Sequence, residues 1–155
     1  MILVLLGTNP YSFDRLAFAM DNLACKHRWD VFMQTGNTAY QPKHCRHTAF
    51  ISHEQVKSLI IECDVLVTQG GAGSIHEGLA AGRPVVAVPR CPELGESQDA
   101  QVELVRAMEQ AGRLIAVYDI KDLYACIQNA FSFHPTPSTP HRINSLIKDF
   151  LERLP

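Results

Sequence analysis

The stretch Thr68 to Val86, TQGGAGSIHEGLAAGRPVV, carries the residues of this chain best suited to chemistry. Gly70, Gly71 and Gly73 follow an apolar run, Asp64 to Thr68, and precede Ile75 and Leu79 at helical spacing, so they open a helix directly after a buried strand. A helix start offers unpaired N–H groups and a partial positive charge, and it suits a phosphate where no side chain shields the backbone. The glycines remove that shield, which points to an anionic group, a diphosphate. The same glycines would also serve a tight turn and close helix–sheet packing. Ser74 and Glu77 form S-x-x-E, so Glu77 either reaches back to cap the helix or, one turn in, accepts two hydrogen bonds from a ribose diol.

Two standard phosphate motifs are excluded. A dinucleotide fingerprint would place a third small residue where His76 stands and would belong to the first strand, and a P-loop needs Gly-Lys-Ser/Thr, which the chain lacks. Neither NAD binding nor ATP hydrolysis is supported.

The elements that must position this stretch alternate. Continuous apolar runs at Met1–Leu6, Val31–Met33, Thr48–Ile51, Asp64–Thr68, Val85–Val88 and Leu114–Val117 read as strands. Between them run amphipathic helices: Leu16, Met20 and Leu23 mark one, and Val56, Leu59, Ile60 and Cys63 another, opened by the capping-box pair Ser52 and Gln55. Gly82 with Pro84 stops the helix after the glycine run, Gly112 closes one carrying Leu104, Val105 and Met108, and Asp119 caps one with Leu123 and Ile127. Gln34 to His47 reads as a surface loop. The fold class is α/β, a doubly wound Rossmann-like parallel sheet spanning 1–133. Residues 134–141, HPTPSTPH, form a proline-rich linker, and 142–155 an amphipathic helix that packs back on the domain or docks on a partner.

Composition bounds the partners. The 155 residues are 46% hydrophobic, enough for one domain with a real core, and 14 basic against 16 acidic residues leave no surplus charge for nucleic acid. The apolar N-terminus is too short for a signal or a membrane span, and five scattered cysteines suit a reducing compartment, so the chain reads as cytoplasmic. His44, Cys45 and His47 lack a second ligand pair at finger-like spacing, and no metal is expected.

The ordered motifs TQGGAGSIHEGLAAGRPVVAVPR, LGESQDAQVEL and AGRLIAVYD resemble the donor-binding domain of the MurG-like glycosyltransferases of family 28. MILVLLGTNPYSFDRL and QTGNTAYQP narrow the resemblance to small stand-alone members, the dolichol-pathway UDP-GlcNAc transferase donor subunit and the exopolysaccharide subunits of PssE type. The resemblance implies the C-terminal half of a GT-B enzyme, an inverting hexosyltransferase subunit. Its substrate would be a UDP-sugar, with no cofactor. The acceptor half and the catalytic base would come from a membrane-associated partner that recruits the chain to the cytoplasmic face of the membrane.

By position, the resemblance places Gly7 and Thr8 beside the diphosphate and the Ile51 backbone at the uracil edge. It puts Gly71, Ala72, Gly73 and Ser74 around the phosphates and Glu77 on the ribose hydroxyls. Asp99 and Gln101 would read the sugar hydroxyls, and Glu96 stands in the GE of the small-subunit pattern. Gln69 and the stretch Ser97–Ala100 depart from that pattern, which often has histidine at both places; losing both removes two titratable groups. A non-catalytic nucleotide-sugar-binding or regulatory subunit is therefore the alternative reading. A UDP-sugar 2-epimerase shares the GT-B plan but needs a second domain.

Overall fold

The apolar runs become a six-stranded, all-parallel sheet in the computed structural model of the chain, which describes residues 1–137. The strands are β1 (Ile2–Leu5), β2 (Val31–Gln34), β3 (Arg46–Thr48), β4 (Val65–Gln69), β5 (Val85–Val88) and β6 (Ile115–Ala116), in spatial order β3-β2-β1-β4-β5-β6. Helices α1 (Asp14–His27), α2 (His53–Glu62), α3 (Ala72–Ala80), α4 (Val102–Gln110) and α5 (Leu123–Ala130) cover both faces. The sheet grows outward in both directions from β1 and β4, so the crevice beyond their carboxyl ends is the topological switch point where ligands bind in such sheets.

Side-chain alternation explains why the strands read as unbroken apolar runs. Ile2 and Val4 face a core shared with Leu16, Met20 and Ile127, whereas Leu3 and Leu5 face one shared with Ile60, Ile75 and Val105. The register levels the strand ends at the crevice: Leu5 pairs with both Gln34 and Thr68. The loops after β1, β2 and β4 therefore emerge side by side.

Three expectations change. The third strand lies at Arg46–Thr48 rather than Thr48–Ile51, and the last has two residues rather than four. The segment before β3 is no free loop. Asp21 in α1, 1% exposed, accepts hydrogen bonds from the backbone N–H of Lys43, His44 and Cys45 at 2.9, 2.7 and 3.1 Å and from the Tyr40 hydroxyl at 2.9 Å. This anchor draws Cys45 into the core and starts pairing with β2 at Arg46. Burial pushes the Asp21 carboxyl up, but its donors outweigh that and hold it below the ordinary value. The Cys45 thiol, buried and close to Asp21, is pushed up to about 12. The expected helix at 142–155 lies outside the described residues, as does the end of the 134–141 linker.

Candidate functional site

The N-terminus of α3 forms one wall of a cleft at the switch point. Gly71 is its N-cap, in extended conformation, and Ala72, Gly73 and Ser74 make the first turn, whose N–H groups precede the first helical bond, Ile75 N–H to Gly71 C=O. Ser74 is thus the third residue of the helix rather than its cap, and the capping role open to Glu77 is not used. Glu77 instead turns to the rim of the cleft, its Oε1 3.4 Å from Nδ1 of His53 at the start of α2.

Gly7 and Thr8, leaving β1, form the opposite wall. Gly7 has a φ of +82°, and a Cβ there would overlap the amide of Gln69. Gln34 ties this turn down by donating from Nε2 to the Gly7 carbonyl at 3.1 Å and the Ala49 carbonyl at 2.9 Å. The open cleft between these walls has a volume of about 280 Å³, with Leu5, Gln34 and Gln69 also lining it. It brings together Gly7, Thr8, Gly71, Gly73, Ser74 and Glu77, with Ala72 in the same helical turn.

Gly70 has another task. A Cβ on it would lie 2.6 Å from Cβ of Gln101, so Gly70 admits α4 against β4. Gln101, the N-cap residue of α4, accepts a bond at Oε1 from the Arg90 N–H at 3.1 Å. Asp99 is exposed in the loop just before it. Two further residues lie outside the cleft. Ile51 lines a separate groove of about 500 Å³ with Phe32 and Leu59, although its backbone N–H and C=O carry no hydrogen bond among the described residues. Glu96, 5% exposed, is held by Arg15 through two 2.9 Å bonds and by the Cys91 N–H at 2.9 Å. Those donors tie its carboxylate to Arg15 and the Cys91 backbone, away from the cleft lining.

The model of the glycosyltransferase family 28 C-terminal domain matches residues 1–154. The chain belongs to this family. A 70-residue stretch is 39% identical to the NDP-glycosyltransferase YjiC of Bacillus licheniformis, covering 43% of this chain and 17% of that protein. Among solved structures, the calicheamicin glycosyltransferase CalG4 superposes with a TM-score of 0.61 at 19% identity, over 98% of this chain and 43% of its own. MurG of Acinetobacter baumannii does so with a TM-score of 0.54 at 15% identity, over 94% and 49%. The chain spans less than half the length of these relatives, and the likeness in fold is to one Rossmann-like half of a GT-B architecture.

In this family 28 domain the sequence reading missed the polar floor beneath the cleft. Arg90, following β5, is 1% exposed and donates to the carbonyls of Leu6, Tyr11, Ser12 and Glu96 at 2.6, 3.1, 3.2 and 2.8 Å, and to Gln69 Oε1. Its guanidinium carbon also sits 4.5 Å from the Phe13 ring centroid. Burial lowers its pKa to about 10, with Glu96 opposing, so it stays charged at neutral pH. A charged residue two positions after a fully apolar buried strand, at the end of the sheet where ligands bind, was the available signal. His53 was missed because its partner, Glu77, belongs to a different helix. Among the described residues no helix is long and apolar enough to cross a membrane.

Proposed function

We propose that this chain is the donor-binding half of an inverting glycosyltransferase that moves a hexose from a UDP-sugar to a lipid-linked or polysaccharide acceptor. One observation carries the reading. The bare amides of the α3 first turn, the Gly7–Thr8 turn and the Glu77 carboxylate converge on one cleft at the switch point of a family 28 domain. The amides suit a diphosphate, and a carboxylate one turn further along suits the ribose diol. Both sit in the order in which those groups occur in a nucleotide sugar.

In the reaction, an acceptor hydroxyl attacks the anomeric carbon as the bond from that carbon to the diphosphate oxygen breaks, inverting the centre. The acceptor proton passes to a base on the acceptor-binding half, and UDP leaves with the electron pair. This chain holds the donor in line and stabilises the charge growing on the diphosphate through the amides of Ala72, Gly73 and Ser74. Losing one such preorganised donor typically raises a barrier by about 2.7–4 kcal/mol. The helix N-terminus supplies this stabilisation without a metal. Asp99 and Gln101, at the head of α4, read the sugar hydroxyls, with the Gln101 amide nitrogen available because its oxygen is held by Arg90. Ile51 meets the base through its backbone. Glu96 is left out, since Arg15 occupies it.

The acceptor half belongs to a membrane-associated partner, as in the PssE-type and dolichol-pathway arrangements, and the chain works at the cytoplasmic face. The test is co-expression with candidate membrane partners, followed by transfer of radiolabelled sugar from UDP-glucose, UDP-galactose or UDP-GlcNAc to a membrane acceptor. Transfer that requires both chains is expected. UDP-sugar binding without transfer by any stable complex would make this a non-catalytic binding subunit.

A further inference from the structure

Between β5 and α4 the chain is held at two points. The first is Glu96, 5% exposed. Its carboxylate takes a two-pronged bond from Arg15 Nε and Nη2, each at 2.9 Å, and a third from the Cys91 N–H at 2.9 Å, while its carbonyl accepts from Arg90 Nη1 at 2.8 Å. The second is Gln101, whose Oε1 accepts from the Arg90 N–H at 3.1 Å. Ser97, Gln98, Asp99 and Ala100 bridge the gap in neither helix nor strand, with Asp99 exposed. The one hydrogen bond this span makes among the described residues is internal, from Ser97 Oγ to the Asp99 carbonyl at 2.7 Å. The position of Asp99 therefore follows from the two ends of the span.

Arg15 fastens the first end to the core. It stands in the first turn of α1 beside Leu16 and Ala17, both fully buried, and its hydrogen bonds among the described residues all go to Pro89, Cys91 and Glu96. Arg90 serves two loops, since it also donates to the carbonyls of Leu6, Tyr11 and Ser12 around the Gly7–Thr8 wall. The Arg15–Glu96 pair makes no hydrogen bond to that wall, and neither residue lines the cleft. A buried carboxylate that loses its guanidinium is left with an uncompensated charge, turns to water and takes the end of the span with it.

We propose that Arg15 and Glu96 are positioning residues for sugar selection: their pair sets where Asp99 stands against the hexose, and neither touches the donor. The role rests on Asp99 and Gln101 reading the sugar hydroxyls, and it goes further by assigning to α1 the group that holds them in place.

Calorimetric titration with UDP, UDP-glucose, UDP-galactose and UDP-GlcNAc tests this on wild type, Arg15→Gln, Glu96→Gln, the double variant and Arg15→Lys. Wild type is expected to take one UDP-sugar in preference to the other two. In Arg15→Gln that preference is expected to fall by about tenfold while UDP affinity changes by less than about twofold, since the loop loses a charge-assisted pair and the diphosphate wall loses nothing. Glu96→Gln and the double variant are expected to lose the same amount rather than the sum, because both residues act through one pair. Arg15→Lys, which keeps the charge but not the fork, is expected to retain part of the preference. Should Arg15→Gln fail to fold around a stranded carboxylate, the double variant, which buries no unpaired charge, gives the reading instead. Parallel losses for UDP and the UDP-sugars would overturn the inference and reduce the pair to a support of the whole cleft. An unchanged preference in the double variant would overturn it as well. Wild type that binds UDP but favours none of the UDP-sugars would overturn it and leave the diphosphate site standing. Wild type that binds none of the four would overturn the proposed donor site and the inference with it.

Discussion

Glu77 and His53, on separate helices, face each other across the rim of the cleft with Oε1 and Nδ1 3.4 Å apart. Both residues line the cleft, and the second carboxylate oxygen of Glu77 has no partner among the described residues. A carboxylate there can accept from a ribose diol. UDP is therefore expected to bind about tenfold more tightly than 2′-deoxy-UDP, the worth of one hydrogen bond to a charged group. Glu77→Ala is expected to weaken UDP and bring the two ligands level. Equal binding of both nucleotides by wild type would remove Glu77 from the ribose.

Two glycines of α3 separate ligand approach from packing. A Cβ on Gly73 meets nothing within 4 Å, whereas one on Gly78 would lie 2.5 Å from Leu66 Cδ2 and 2.8 Å from Val85 Cγ2. Gly73→Val is thus expected to leave the melting temperature nearly unchanged while UDP affinity falls more than tenfold. Gly78→Ala is expected to lower the melting temperature, because overpacking costs about 1–3 kcal/mol and outweighs the gain in helix propensity. The folded Gly78→Ala protein should bind UDP like wild type. Unchanged UDP affinity in Gly73→Val would refute the amide cradle.

Asp21 makes stability depend on pH with a defined sign. Its carboxyl is held below the ordinary 3.8 in the folded chain, so its contribution is complete above that value and disappears as pH falls through the lower folded value. Asp21→Ala is expected to lose about 2–3 kcal/mol at pH 7, measured by urea unfolding. The gap to wild type should narrow as the pH falls from 3.8 through the lower folded value. A gap of constant size down to the acid transition would mean that packing, not the charge, holds the Tyr40–Cys45 segment.

The thiols should divide by burial. Burial pushes Cys45 up to about 12 and Cys63 up to about 11, while Cys25 is exposed. An aromatic disulfide reagent is expected to label Cys25 and spare Cys45 and Cys63 in the native protein, with all five cysteines reacting in denaturant. Native labelling of Cys45 would contradict the anchored loop.

Strands buried on both faces show themselves as apolar runs, and for that reason β1, β4 and β5 were legible from residue type alone. The helix start at Ser52 was legible too, because a capping box is local: Ser52 Oγ accepts from the Gln55 N–H at 3.2 Å and Gln55 Oε1 from the Ser52 N–H at 2.9 Å. The same pattern at Ser74 and Glu77 left two uses open, and capping is not the one taken, since the chain is already helical from Ala72. Within the site, the glycines of the α3 turn were visible and the floor was not. Arg90 reaches Leu6, 84 positions away, and Glu96 meets Arg15, 81 away, so neither pairing leaves a local trace. The Asp21 anchor escaped notice for a related reason: an acidic residue in a helix reads as surface until a distant loop supplies its donors.

The most direct test of the donor site is calorimetric titration of the purified chain with UDP, UDP-glucose, UDP-galactose and UDP-GlcNAc, with GDP and NAD as controls, repeated on Glu77→Ala. Saturable binding of UDP and of one UDP-sugar, absent for GDP and NAD and weakened about tenfold in the variant, is the expected result. Wild-type affinity in Glu77→Ala, or no preference for uridine nucleotides, would contradict the account.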